Sequence, residues 1–187
     1  MGIAEQATEA LGHAIRNVHA GAEKLISRKV AAAMPPQIVV TSPAFVDEGK
    51  LPLACTVDGA GTPPALGWNF ANAGALTKSF VLVCEDPDAP FPEPFVHWIV
   101  YAIPPSATLL DARTIAQARE GKNSRLDVGF TAADPPPGHG LHHYHFQVLA
   151  LDVETDFEPG LGRSALIAHL KNHVIAWGEI VGTYERK

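Results

Sequence analysis

Residues 79–101 read SFVLVCEDPDAPFPEPFVHWIVY, which is two apolar runs joined by a turn rich in proline and acidic residues. The first run is continuously apolar, as is typical of a central strand that is buried on both faces. The second run begins at His97. The stretch therefore predicts two neighbouring β-strands, with Asp86 and Asp88 where the first strand ends and His97 where the second begins.

The prolines of this turn restrict its backbone. Pro87 fixes its own φ at about −65° and donates no backbone hydrogen bond, and Pro90 confines Ala89 to extended geometry. The carboxylates of Asp86 and Asp88 are therefore held in set directions. Either they contribute to a binding pocket, or they only accept hydrogen bonds from N–H groups of the turn itself. The spacing alone leaves both alternatives open.

Side-chain alternation assigns faces along the second strand. His97, Ile99, Tyr101 and Ile103 are predicted to share one face. A histidine at the first position of a strand can reach the rim of its sheet, although a single histidine there is more often structural than functional.

A third stretch, residues 135–146, reads PPPGHGLHHYHF. If it leads into a strand, His142 and Tyr144 lie on one face, while His143 and His145 lie on the other. One face would then present an imidazole and a phenol at successive positions.

The glycines of the preceding turn add to this prediction. Gly138 and Gly140 would let the backbone come close to a ligand and expose its N–H groups. The turn and the start of the strand are together a candidate wall of a pocket.

The four histidines between positions 139 and 145 raise the question of a metal. His143 and His145 could chelate an ion, but no further Cys or His pair completes a recognised zinc spacing. A serine esterase is equally unsupported, because the chain has no Gly-x-Ser-x-Gly motif. We therefore expect neither a metal nor a cofactor.

Bulk composition narrows the classes of function. Hydrophobic residues make up 47% of the chain and charged residues 18%, so a globular protein is expected. The net charge of −6 argues against a nucleic-acid partner. Two cysteines favour a reducing cytoplasm over a disulfide-rich secreted domain. We find neither a run of about 18 apolar residues nor a secretory signal pattern.

From residue 37 onward, short apolar runs alternate with turns rich in proline, glycine and aspartate, which is typical of β-strands. Residues 163–177 instead have helical periodicity. One face of that predicted helix carries Leu166, Ile167, Leu170, Val174 and Trp177. The sequence therefore predicts a mostly β domain of the α+β class over residues 37–187, with one late helix.

Residues 1–36 form a separate N-terminal helical arm in this prediction. The helix runs to about residue 33, Gly12 and Gly21 weaken it by about 1 kcal/mol each relative to alanine, and Pro35 ends it. Its apolar seam has heptad spacing and consists of Ala4, Thr8, Leu11, Ile15, Val18, Ala22 and Leu25. Three alternatives stay open: a helix packed on its own domain or partly frayed, an arm that forms a homodimer through residues 1–33, and a membrane-surface helix.

The motifs of the β domain resemble those of the phosphatidylethanolamine-binding protein family, which includes the Raf kinase inhibitor proteins. The resemblance covers about residues 37–187 and is closest to the bacterial and archaeal branch. It is carried by three motifs in order: Asp86-Pro87-Asp88-Ala89-Pro90, His97-Trp98-Ile99-Val100-Tyr101, and Pro135-Pro136 with Gly138-x-Gly140-x-His142-x-Tyr144.

The resemblance implies a large antiparallel sheet packed on a smaller sheet, with C-terminal helical segments. It also implies one small pocket at a sheet rim that binds phosphate-like anions, including phospholipid headgroups. The positions that match the family's site are Asp86, Asp88, His97, Pro135, Gly138, Gly140, His142 and Tyr144. Two departures are Ala132-Ala133, where the family often has Gly-Pro, and His143, where it often has arginine.

A carboxylate beside an anion site requires an explanation. We expect Asp86 or Asp88 to accept a hydrogen bond from His97 or His142, because a nearby carboxylate raises the pKa of a histidine. The charged imidazole, the Tyr144 hydroxyl and loop N–H groups would then donate to the anion.

Two classes of function follow from this expectation. One is a binding module for an anion or lipid headgroup, which could regulate a partner protein. The alternative is an enzyme that uses Asp86, His97 and His142 for general acid–base chemistry, as a lyase or hydrolase acting on a small metabolite. No activated nucleophile is visible in the sequence, which favours binding over covalent catalysis.

Overall fold

The computed structural model describes residues 3–70 and 76–186, in which nine strands form two sheets and four α-helices accompany them. The strands are β1 (Val39–Thr41), β2 (Gly49–Lys50), β3 (Leu66–Asn69), β4 (Ser79–Asp86), β5 (Phe95–Ile103), β6 (Leu109–Leu110), β7 (Arg119–Glu120), β8 (His142–Leu151) and β9 (Val174–Tyr184). The helices are α1 (Ile3–Ile15), α2 (Ile26–Val30), α3 (Ala112–Gln117) and α4 (Arg163–Leu170). Residues 1, 2, 71–75 and 187, which the predicted arm and β domain included, lie outside the described residues.

The larger sheet has the strand order β2-β9-β8-β4-β5-β7, and the smaller one has the order β1-β3-β6. Neighbouring strands are antiparallel, except that β2 runs parallel to β9. All eight residues of β4 are buried, as the continuous apolar run predicts. The predicted fold, a large antiparallel sheet packed on a smaller one, is confirmed.

Two apolar layers hold the domain together. The side chains of β4 alternate between them: Phe80 and Leu82 face the smaller sheet, and Val81 and Val83 face the helices. The first layer includes Trp68 of the smaller sheet, and the second includes residues of α2 and α4. Because each fully buried side chain of this size contributes about 1.5–3 kcal/mol, the central strand is fixed from both sides.

The face predicted for Ile103 is wrong, because β5 contains a β-bulge. Phe80 pairs with Ile103 and Leu82 with Val100, so β5 has one residue more than β4 between these pairs. The extra length is taken up at Ala102, whose φ is 55°. Ile103 therefore packs between the two sheets, on the opposite face from Ile99.

The single helix predicted to run to about residue 33 is wrong, because the chain forms two helices separated by residues 16–25. Gly21 has a φ of 101°, which is incompatible with a helix. Leu25 and Ile26 are fully buried, so packing against the larger sheet outweighs the gain of a continuous helix.

Helix α1 contacts the turn before β8. A Cβ at Gly12 would lie 2.0 Å from the carbonyl oxygen of Pro137, so the helix approaches this turn at backbone distance. Leu11 and Val18 of the predicted seam are instead 60% and 50% exposed. The contact agrees with the alternative of a helix packed on its own domain, while the homodimer through residues 1–33 stays a prediction.

The late helix is shorter than predicted. It ends at Leu170, and Asn172 turns the chain with a φ of 67°. Val174 and Trp177 belong to β9. Val174 pairs with Leu151 of β8, and Trp177 pairs with Leu149. Strand pairing on the large sheet therefore overrides the helical periodicity of residues 171–177. Within the described ranges, no helix has both the length and the apolar character needed to cross a membrane.

Candidate functional site

A cavity of about 300 Å³ lies at one end of the larger sheet, where β4 ends and β5 and β8 begin. Because β4 is antiparallel to both of these neighbours, the end of one strand meets the starts of the other two. The cavity is lined by Asp86, Ala89, Pro90, Phe91, Phe95, His97, Arg125, Asp134, Pro136 and His142. The structure thus brings together three of the predicted site residues, Asp86, His97 and His142.

The carboxylate of Asp86 is buried and fully engaged. One oxygen, Oδ2, lies 2.7 Å from Nδ1 of His142. The other, Oδ1, accepts hydrogen bonds from the backbone N–H groups of Asp88 at 2.8 Å and Ala89 at 3.1 Å. Asp86 therefore shapes the turn and also lines the cavity, so its carboxylate does more than accept hydrogen bonds within the turn.

The imidazole of His142 uses both of its nitrogens inside the protein. Its Nδ1 contacts Asp86, and its Nε2 lies 2.7 Å from Nδ1 of His139. The Nε2 of His139 in turn lies 3.0 Å from the carbonyl oxygen of Ile15 at the end of α1. In this arrangement His142 presents its ring to the cavity and has no unused N–H group for a ligand.

His97 reaches the cavity through a second β-bulge, so the prediction that it shares a face with Ile99 and Tyr101 is also wrong. Cys84 pairs with Trp98 and Glu85 with Val96, so His97 is the additional residue of β5. Its Nδ1 lies 2.9 Å from the carbonyl oxygen of Thr131 and must donate to it. Its Nε2 has no hydrogen-bond partner among the described residues, so this nitrogen is left for a ligand.

Burial lowers the pKa of His97 below its ordinary value of 6.5. The carboxylate of Asp86 favours the charged imidazole but does not offset the loss of hydration. The carboxylate thus acts in the predicted direction, but the expectation that it would leave His97 with a raised pKa overall is wrong. At neutral pH this ring is uncharged and carries a lone pair on Nε2.

Tyr144 lies behind His97 rather than on the wall of the cavity. The two rings meet edge to face with centroids 5.1 Å apart. The Tyr144 hydroxyl is buried and has no hydrogen-bond partner among the described residues. Burial raises the pKa of Tyr144 well above its ordinary value, so the hydroxyl keeps its proton.

Asp88 does not line the cavity. Its Oδ2 accepts hydrogen bonds from the backbone N–H of His143 at 2.8 Å and from Nδ1 of the same residue at 2.7 Å. This carboxylate therefore ties the acidic turn to the start of β8. His143 lies on the opposite face of β8 from His142, as the alternation predicts.

The turn of residues 135–140 is shaped by its glycines, but its contact with the cavity is made by Pro136 and not by Pro135. Gly138 and Gly140 have φ values of 76° and 118°, in the region that favours glycine. A Cβ at Gly138 would also lie 2.9 Å from the carbonyl oxygen of Glu9. These two glycines therefore shape the turn, and Gly138 also lets α1 approach it.

Sequence reasoning missed the cation of the cavity, Arg125. This side chain is half exposed and donates to Oδ2 of Asp134 at 2.9 Å. The other oxygen of Asp134 accepts from Arg186 at 2.8 Å. Arg125 belongs to a loop without an apolar pattern, so no periodicity in the sequence points to it.

The apolar part of the wall was also missed. It consists of Pro90, Phe91, Phe95 and Pro136, and the Phe91 side chain is 51% exposed. The sequence FPEPF directly after the acidic turn was the available signal, because such aromatic residues follow the turn into the rim.

The donor set does not suggest a metal. Within residues 3–70 and 76–186, no group of three or more His, Cys, Asp or Glu side chains could hold an ion. Cys55 and Cys84 are both buried and reduced. The cavity offers hydrogen-bonding groups and an apolar wall to a ligand, without a metal centre in this part of the chain.

Comparisons with known sequences fit this geometry. A profile of the family described as phosphatidylethanolamine-binding protein matches residues 41–185. The chain is 34% identical over 158 residues to a UPF0098 protein of Pyrococcus abyssi, covering 81% of this chain and 87% of that protein. It is also 34% identical over 152 residues to a UPF0098 protein of Chlamydia trachomatis, covering 79% and 98% of the two chains.

Comparisons with solved structures point to the same family. A phosphatidylethanolamine-binding protein homologue of Chlamydia trachomatis superposes with a TM-score of 0.72 at 32% identity, covering 82% of this chain and all of that one. YbcL of Escherichia coli, described as a member of the mammalian family, gives a TM-score of 0.73 at 31% identity and covers 81% and 99%. The carboxypeptidase Y inhibitor, at 17% identity and a TM-score of 0.55, shares the fold.

Proposed function

Because the chain belongs to the phosphatidylethanolamine-binding protein family, in its bacterial and archaeal branch, we propose that the cavity binds a small phosphate-like anion. The anion is either a free phosphate ester or the headgroup of a phospholipid. Both present the same group, a tetrahedral anion with several acceptor oxygens.

The proposal is carried by one observation, the balance of charge around His97. Both carboxylates that line the cavity are already paired, Asp86 with His142 and Asp134 with Arg125 and Arg186. The remaining N–H groups of Arg125 are left to contact a ligand, and so is Nε2 of His97 once binding protonates it. An anion that enters the cavity therefore meets the Arg125 donors, and with uptake of a proton the His97 donor, rather than unpaired acids.

The strength of such a site can be bounded. A charge-assisted hydrogen bond contributes about 1.5–3 kcal/mol. Two of them, less the costs of desolvation and ordering, correspond to binding of a simple anion in the micromolar to millimolar range. Tighter binding requires contacts beyond the phosphate.

The apolar wall supplies such contacts. Phe91, Phe95 and the two prolines beside them form a surface for the organic part of a ligand. The cavity volume of about 300 Å³ lies at the lower end of the range for small-molecule pockets. It has room for a headgroup but not for acyl chains, so a phosphate ester should bind more tightly than inorganic phosphate.

Calorimetry with three probes tests the proposal: inorganic phosphate, phosphorylethanolamine, and vesicles that contain phosphatidylethanolamine. Substituting Arg125→Gln should lower the affinity for the two soluble probes by about tenfold, the loss of roughly one charge-assisted contact. Arg113→Gln is the matched control, because Arg113 is exposed on α3, away from the cavity. Absence of heat with all three probes, or equal affinities for the two variants, would refute the proposal.

A second candidate function, general acid–base catalysis, is favoured by the state of His97. A buried neutral imidazole with a lone pair on Nε2 is a suitable general base, and Asp86 lies on the same cavity wall. A screen of small metabolites for turnover separates this alternative from binding. Product formation that is lost in both His97→Ala and Asp86→Asn would favour the enzyme.

A further inference from the structure

A line of hydrogen bonds joins the cavity to the N-terminal helix. It runs from Oδ2 of Asp86 to Nδ1 of His142 over 2.7 Å, and from Nε2 of His142 to Nδ1 of His139 over 2.7 Å. It ends at the carbonyl oxygen of Ile15, which lies 3.0 Å from Nε2 of His139. These four groups are called the histidine relay below, and its inner members are all buried.

The ends of the relay fix its protons. The carbonyl oxygen of Ile15 can only accept, so Nε2 of His139 carries a hydrogen, and the Asp86 carboxylate accepts as well, so Nδ1 of His142 carries one. The hydrogen bond between the two rings needs a third hydrogen. Two neutral imidazoles carry only two in total, so the pair holds one extra proton and one positive charge.

This charge belongs on His142. The carboxylate of Asp86 is in direct contact with His142 and not with His139. Burial lowers the pKa of His139, and the neighbouring His142 lowers it further. Two other titratable groups lie near His139. His19 of the N-terminal segment has its ring centroid 5.4 Å away, and behind it Oδ1 of Asp88, in the acidic turn, lies 3.8 Å from Nδ1 of His19.

The position of Ile15 is set by how the segment of residues 3–21 packs on both turns of the site. At Gly12, α1 touches the carbonyl of Pro137 closely enough to exclude any side chain. Further along, the backbone N–H groups of Ala20 and Gly21 donate to the carbonyl oxygens of Ala89 at 3.1 Å and Pro87 at 3.0 Å. The segment therefore bridges the acidic turn and the proline–glycine turn.

We propose that residues 3–21 are a positioning element of the anion site, which acts through the histidine relay. The Ile15 carbonyl orients His139, and His139 holds His142 as a cation beside Asp86. The positive charge of His142 then offsets the negative charge of the Asp86 carboxylate, so that the carboxylate does not repel an incoming anion. The segment lies before residues 41–185, the region that the family profile matches. The inference rests on the proposed anion binding.

The first test needs no ligand. Nitrogen NMR of the histidine rings in the full chain at neutral pH distinguishes N–H from bare nitrogens. We expect both nitrogens of His142 to be protonated, His139 to carry its hydrogen on Nε2, and His97 to carry its hydrogen on Nδ1. A His142 ring with only one protonated nitrogen would overturn the inference.

The second test displaces the helix. Valine at position 12 has a better helix propensity than glycine, so any effect of Gly12→Val comes from the contact with Pro137. We expect His142 to lose its second proton at neutral pH and the affinity for sulfate to fall by about fivefold or more. Ala10→Val, on an exposed position of the same helix, should change neither.

The two readouts separate this inference from the proposed function. Unchanged ring signals and unchanged sulfate affinity in Gly12→Val would overturn the role of residues 3–21. If the wild-type chain binds no sulfate or phosphate while the ring signals respond as expected, the relay exists but the proposed function fails, and the positioning role fails with it.

Discussion

Glu85 and Asp86 are neighbours in β4, yet their carboxylates serve opposite faces of the sheet. Asp86 points to the cavity, whereas Glu85 is fully buried on the helical side. Glu85 accepts from the backbone N–H of Ile26 at 2.7 Å, from Nε2 of Gln147 at 2.9 Å and from Nε of Arg163 at 2.7 Å. One strand end therefore anchors helices on one side and builds the cavity on the other.

The substitution Glu85→Ala should lower the free energy of unfolding by about 3–5 kcal/mol, because it leaves the partly buried guanidinium of Arg163 and the N–H of Ile26 without their acceptor. Urea denaturation at neutral pH measures this loss. Glu93→Ala is the control, since Glu93 also binds Arg163, at 2.8 Å, but is half exposed, and its loss should stay below about 1 kcal/mol. Similar losses in the two variants would contradict the anchoring role of Glu85.

Much of the β domain could be predicted because its signals are local. The apolar run of β4 and the alternation of β8 each follow from the sequence of one strand. Antiparallel pairing then places strand ends together, which is how Asp86, His97 and His142 reach one cavity although some fifty positions separate the first from the last.

The features that could not be predicted depend on contacts between distant parts of the chain. The bulge at His97 is set by the register with β4, and the end of α4 by the pairing of β9 with β8. The break after α1 comes from the burial of Leu25 and Ile26. Arg125 reaches the cavity from a loop, where neither periodicity nor motif marks it.

Sulfate binding should become stronger as the pH falls from about 8 to about 5. The anion favours the charged form of His97, whose lowered pKa leaves it neutral at pH 7, so binding takes up a proton. The rise in affinity should reach up to about tenfold per pH unit in calorimetry. Sulfate suits this test because its own charge is constant over the range, which phosphate's is not.

The variant His97→Gln is the control for this pH dependence, because glutamine keeps a hydrogen-bond donor but does not titrate. Its sulfate affinity should be nearly independent of pH. An equally steep dependence in the variant would assign the proton uptake to another group and contradict the role of His97.

Acid should destabilise the fold through the same histidine. A histidine whose pKa is lowered in the folded chain takes up more protons in the unfolded chain, between the lowered pKa and the ordinary value of 6.5. Its contribution is therefore fully present above pH 6.5 and is lost as the pH falls through and below that value. The buried His139, whose pKa is also lowered, acts in the same direction.

Denaturation of the wild-type chain and of His97→Gln at about pH 7.5 and about pH 5 measures this effect. The variant should lose less stability on acidification than the wild type. His173→Gln changes an exposed histidine far from the cavity and should behave like the wild type. Equal losses in all three proteins would show that His97 is protonated in the folded chain as readily as in the unfolded one.

The unpartnered hydroxyl of Tyr144 predicts that removing a buried group will not destabilise the fold. Most truncations of buried side chains destabilise a protein, but this hydroxyl pays for burial without a hydrogen bond within the described residues. Tyr144→Phe should therefore leave the free energy of unfolding unchanged or raise it by about 1 kcal/mol.

Tyr184→Phe is the matched control, because the Tyr184 hydroxyl donates to Asp58. Its loss should cost about 1–2 kcal/mol in the same urea titration. If Tyr144→Phe instead costs as much as Tyr184→Phe, the Tyr144 hydroxyl has a partner in solution, and an ordered water beside His97 is the first group to look for.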